Sequence, residues 1–145
     1  MEGRYSLVIE KELSGTPEMI FDAWLDQENI SKWLKPGEGV SVPNPQIDGR
    51  VGGKFSFTMQ IGERELPHFG EYKKINRATE LQFTWMSPQG TSGEDTLVTI
   101  NLEPSGEGKT KLKLTHDFLP TEELRNNHNG GWTRIMECLK EYTEL

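Results

Sequence analysis

Few side chains in this sequence are equipped for chemistry: three histidines, one cysteine and some short pairs of carboxylates. Imidazole carries protons near neutral pH and is the commonest metal ligand, so His68, His116 and His128 come first. They stand far apart in the chain, and no Cys or His pair has zinc-ligand spacing, so neither a metal nor another cofactor is expected. His116 shares the alternation register of Leu112, Leu114 and Phe118, which directs its ring toward the apolar face of a strand. There it reads either as a hydrogen-bonded core residue or as a base. His68, at a strand start, and His128, on the first turns of a terminal helix, are expected to be at least partly exposed. Cys138 has no local feature to lower its pKa, and no serine sits in a glycine elbow, so nucleophilic catalysis has little to stand on. Glu94–Asp95 and Glu122–Glu123 fall in a turn and at a helix start, where solvation and the helix dipole account for them. The stretch "GEGKT" at 106–110 follows Pro104 in a hairpin turn and lacks the first glycine of a phosphate loop.

The elements that position these residues follow from periodicity. Residues 4–13 alternate as a first strand, with Tyr5, Leu7 and Ile9 on one face. Thr16 and Pro17 have the chemistry of a helix start, and the helix they open buries Ile20, Phe21 and Trp24. Asp26 is expected to begin a second short helix, with Ile30, Trp33 and Leu34 inward and Pro36-Gly37 as its stop. From about residue 47 to 118 the chain reads as strands in series. Phe55, Phe57, Met59 and Ile61 share a face, as do Leu81, Phe83 and Trp85, and Val98, Ile100 and Leu102 oppose Leu112, Leu114 and Phe118 across "PSGEG". Short turns without helical crossovers make the sheet antiparallel. The last segment, roughly Thr121 to Thr143, repeats Leu124, Trp132, Ile135, Met136, Leu139 and Tyr142 at helical spacing and would be about 33 Å long. Its middle holds Asn126, Asn127, Asn129, Gly130 and Gly131, all poor helix formers. Either the glycines make room against the sheet, or the helix frays and restarts from an asparagine cap.

Composition narrows the class. The 145 residues suit a single domain, 1–145, large enough to bury a core. A net charge of −7 and the absence of a basic stripe argue against nucleic acid as a partner. The one cysteine excludes an internal disulfide, no leader follows Met1, and no apolar run approaches a bilayer's thickness. A cytoplasmic protein without membrane insertion is expected.

The segments "TPEMIFDAWLDQENISKWL", "GGKFSFTM", "HFGEYKKINRATELQFTW" and "HNGGWTRIMECLKEY" together resemble the single-domain bacterial proteins of the Hsp90 ATPase activator homologue family, within the START-like (Bet v 1-like) superfamily. The resemblance runs from about residue 5 to 143 and rests on Trp24, Trp33, Gly70-Glu71-Tyr72, Phe83-Thr84-Trp85 and Gly131-Trp132. It implies an α+β helix-grip fold: a curved antiparallel sheet around a long C-terminal helix, two short helices after strand one, and a mostly apolar cavity between sheet and helix. Because that superfamily carries many functions on one scaffold, fold alone does not assign one.

The leading expectation is a binding module whose cavity takes a hydrophobic or amphipathic small molecule. Phe57, Met59, Trp85, Trp132 and Met136 would form its apolar wall, and Tyr72 or His116 would orient the ligand. The alternative the resemblance implies is a module that engages an Hsp90-type chaperone. An aromatase/cyclase-like enzyme would need His116 and Tyr72 to converge as base and donor. No catalytic residue is assigned, and monomer and homodimer remain equally open.

Overall fold

A computed structural model describes residues 4–144. Strand β1 (Tyr5–Ser14) leads into helix α1 (Pro17–Trp24), a 3-10 turn (Ile30–Lys32) and two short strands, β2 (Val40–Ser41) and β3 (Gln46–Ile47). Five long strands follow: β4 (Lys54–Ile61), β5 (Arg64–Asn76), β6 (Glu80–Trp85), β7 (Thr96–Gly106) and β8 (Lys109–Leu119). Helix α2 (Glu122–Thr143) closes the chain. The sheet runs β1-β8-β7-β6-β5-β4-β2, with β3 also on β4, and every pairing is antiparallel. Curled into a half-barrel, it grips α2, which is the helix-grip arrangement.

Local chemistry sets the helix ends. The Thr16 hydroxyl accepts from the Met19 N–H at 3.2 Å with Pro17 at the first position, and α1 buries Ile20, Phe21, Ala23 and Trp24. Thr121 caps α2 in the same way, accepting from the Leu124 N–H at 3.1 Å, with Glu122 and Glu123 in the first turn where the helix dipole favours them. Helix α2 runs unbroken through the Asn-Gly stretch, so the fraying alternative does not occur. Its buried residues, Trp132, Ile135, Met136 and Leu139, all lie beyond that stretch, and their packing holds the weak segment helical.

The second short helix expected after Asp26 is present as a 3-10 helix, with the Asp26 carboxylate accepting from the N–H groups of Glu28 and Asn29 just before it, and Ile30, Trp33 and Leu34 are buried as expected. Two other expectations need correction. Phe118 does not face inward: it is 53% exposed, and Leu119 is buried in its place. Leu7 pairs with His116 but Tyr5 with Leu119, so β8 carries one extra residue there, and the bulge is taken up at Phe118 with φ of 70°. Ile61, at the end of β4, is exposed although its face is the inner one.

One glycine on the sheet has a clear steric role. A Cβ at Gly70 would lie 2.0 Å from the Thr84 carbonyl oxygen and 2.3 Å from the Phe55 ring, so the ring lies directly over the bare backbone of β5. That contact places Phe55 among Phe57, Tyr72, Phe83 and Trp85 in the central aromatic cluster.

Candidate functional site

A pocket of about 310 Å³ opens where the first half of α2 faces the ends of β4, β5 and β6. Met59, Leu66, His68 and Trp85 line it from the sheet, and Leu124, Asn127, His128, Gly131, Trp132 and Ile135 from the helix. Ser87, Gln89 and Gly90, on the loop between β6 and β7, form its rim, and Pro36 closes one side. The rim is held rigidly by Thr91, whose buried hydroxyl lies 3.1 Å from both the N–H and the carbonyl of Ser87 and 2.6 Å from the Glu94 carbonyl. Gly131 contributes space: a Cβ there would meet only Pro36, at 3.4 Å.

The wall of the pocket is anchored by a directed chain of hydrogen bonds. The Trp132 indole N–H can only donate, and its partner is Nδ1 of His116 at 3.0 Å. The neutral ring therefore carries its proton on Nε2, which donates to the Thr96 hydroxyl at 2.7 Å, and that hydroxyl donates to the Trp85 carbonyl at 2.5 Å. Every proton in the chain has one place. Burial, helped by the nearby His128 ring, holds His116 well below the usual imidazole pKa. A proton added to Nδ1 would remove the acceptor for Trp132.

The three histidines, remote in sequence, meet in this region. His128 packs edge-on against His116 with ring centroids 4.9 Å apart, and His68 lies 5.0 Å from the Trp85 ring. His68 donates from Nδ1 to the Leu66 carbonyl at 2.8 Å, and His128 from Nδ1 to the Leu124 carbonyl at 2.9 Å. Burial lowers both pKa values, that of His68 to about 4 against the opposing pull of the Leu66 carbonyl. Among the described residues, no group of three His, Cys, Asp or Glu side chains is arranged to hold a metal ion.

Of the residues expected from sequence, Met59, Trp85 and Trp132 line the pocket. Phe57 and Tyr72 instead surround a separate void of about 10 Å³ in the aromatic cluster, sharing it with Trp24, Phe55 and Phe83. Met136 is buried in the core and His116 stands behind Trp132, so neither reaches the pocket surface. His116 and Tyr72 line no common pocket, and both ring nitrogens of His116 are engaged. They do not form the acid–base pair that the enzyme reading requires.

His68 was missed. It is 8% exposed, in the body of β5 and directly opposite Phe57, not at an exposed strand start. The signal was present, since an inward Tyr72 places Gly70 and His68 on the same face by period two. His128, half-buried, agrees with expectation, but nothing local showed that its ring would reach His116.

Among solved structures, a protein from Chromobacterium violaceum superposes with a TM-score of 0.87 at 24% identity, covering 97% of this chain and 98% of that one. The AHSA1 protein from Silicibacter pomeroyi gives 0.83 at 27% identity, with the same coverage. The AHSA1-like protein from Aeromonas hydrophila gives 0.78 at 22% identity, over 97% of this chain and 92% of that one. No curated protein matches in sequence. No helix among the described residues is long and apolar enough to cross a membrane. The sequence profile described as Activator of Hsp90 ATPase homolog 1-like protein matches residues 14–144, and this chain belongs to that family.

Proposed function

We propose that the protein binds a small hydrophobic or amphipathic molecule in the pocket between α2 and the sheet. The observation that carries this reading is the pocket itself: a concave space with Met59, Trp85, Trp132 and Ile135 on its walls and a few polar groups at its rim. Native mass spectrometry of gently purified protein, with thermal shift against fatty acids, sterols, flavonoids and polyketides, tests it. A retained mass or a rise in Tm supports the reading; neither, across the panel, sinks it.

Family membership favours a second reading, association with an Hsp90-type chaperone. A pull-down and an ATPase assay with that chaperone test it, and absence of both binding and stimulation at tens of micromolar would remove it.

A further inference from the structure

Resting on the binding reading above, we propose that the ligand's polar end is an uncharged hydrogen-bond donor, a hydroxyl or N–H, accepted by the Nε2 atom of His128.

The lining contains no Lys, Arg, Asp or Glu. A carboxylate or phosphate would find no fixed countercharge in a partly desolvated site, where an unpaired charge is costly. Ser87, Gln89 and Asn127 can each donate or accept, so they do not discriminate between ligand types. The His128 imidazole does discriminate. It spends its Nδ1–H on the Leu124 carbonyl, and a neutral ring with its proton on Nδ1 offers only a lone pair at Nε2. The tautomer is set by the main chain before any ligand arrives. For His128, the Cε1–Nε2 edge runs along Gly90, where a Cβ would come within 3.2 Å of Cε1 and 3.4 Å of Nε2. The absence of a side chain at Gly90 leaves that edge unobstructed at the rim. Doubly protonated imidazoles, which would welcome an anion, are opposed by burial and by the mutual repulsion of rings this close. Among the described residues, the pocket lining holds no titratable group besides His68 and His128, and His116 packs against His128 from behind Trp132.

The ligand class that fits has an apolar body against Met59, Trp85, Trp132 and Ile135 and an alcohol, phenol or N–H at the histidine side. Free fatty acids and phosphorylated lipids do not fit.

The test uses three matched probes near neutral pH: 4-phenylbutan-1-ol, 4-phenylbutanoate and n-butylbenzene, titrated by calorimetry and tryptophan fluorescence. The alcohol should bind about 3- to 10-fold tighter than the hydrocarbon, the gain of one net hydrogen bond, and more tightly still relative to the acid. His128→Phe should lower the ratio of alcohol to hydrocarbon affinity about 3- to 10-fold, whatever the altered lining does to hydrocarbon affinity, and His68→Phe should lower that ratio less. Wild-type protein titrated in two buffers of different ionisation heat should show no proton uptake with the alcohol, a readout that needs no variant to fold. Carboxylate binding as tight as the alcohol, or an alcohol preference that survives His128→Phe, overturns this inference and leaves the pocket reading standing. No binding of any probe overturns both.

Discussion

The two halves of α2 lie against one curled sheet and end differently. Beyond Gly131, Trp132, Ile135, Met136 and Leu139 are buried, and Lys11 on β1 pairs with Glu137 on the outer side. Before it, the same helix presents Leu124, Asn127, His128 and Gly131 to an open space. The helix is continuous across the halves; the side chains it presents differ. Where they are large and apolar the grip closes into core, and where they are small or polar it stays open as a pocket. The opening is thus specified by residues that are poor choices for a helix and is kept helical by neighbours that pack well.

The largest effects should separate the halves by stability. Leu139→Ala, at a residue 0% exposed, should cost about 2–5 kcal/mol, whereas Leu124→Ala, on the pocket wall, should cost under about 1 kcal/mol in urea denaturation. Equal losses would mean that the open half is packed as tightly as the closed one. Trp132→Ala, at the boundary, should resemble the closed half at about 3–5 kcal/mol.

The next effect is set by pH and belongs to the open half. His68 has its folded pKa lowered to about 4 from 6.5, and His128 and His116 are displaced in the same direction. Below about pH 6.5 the unfolded chain takes up protons that the folded one resists, so stability is intact above that value and declines toward about pH 4. His68 alone accounts for a loss on the order of 3 kcal/mol. The ion pairs of Glu94 with Arg4 and Glu137 with Lys11 lower those carboxyl pKa values, so the upper part of the window reports the histidines. Urea midpoints measured through it should fall steeply in wild type and less in His68→Phe. A flat profile would contradict the burial of these rings.

A smaller loss is expected from His116→Leu, which keeps the apolar volume but leaves the Trp132 N–H without its acceptor, at about 1–3 kcal/mol. His116→Gln, with an acceptor of similar reach, should recover part of it. If the two variants lose equal stability, the imidazole contributes packing and not the bond.

The smallest effect has the opposite sign. A Cβ at Gly130 would meet nothing within 4 Å, so Gly130→Ala should stabilise by about 0.5–1 kcal/mol through helix propensity. Gly131→Leu, one residue on, should leave thermal stability nearly unchanged while abolishing probe binding, because its side chain would enter the pocket beside Pro36. A large destabilisation there would show instead that close packing dictates the glycine.

The long strands and the closing helix were legible because each rests on a local pattern of two or 3.6 residues, and the cap at Thr16 because Pro17 follows it. Phe118 was not legible, since one inserted residue shifts the alternation and a bulky side chain at positive φ has no sequence signature. The short pairings of β2 and β3 with β4 are set by loop closure and were equally hidden. At the site, Met59, Trp85 and Trp132 could be named from their faces. Phe57 and Tyr72 occupy the same inner surface one layer deeper, a difference that depends on how the sheet curls and not on period. The meeting of His68, His116 and His128 joins two strands and a helix, and no single segment encodes it.

The unbroken course of α2 through Asn126–Gly131 also fixes how the helix breathes. Amides on either side of Gly131 share one hydrogen-bonded rod but not one opening reaction. Those after it are released only when the core itself comes apart, whereas those before it can escape by a sub-global opening that peels the first turns from the pocket and leaves the rest of the fold intact. Deuterium exchange along this single helix should therefore step at Trp132, and a uniform profile from Leu124 to Leu139 would show that the two halves open together.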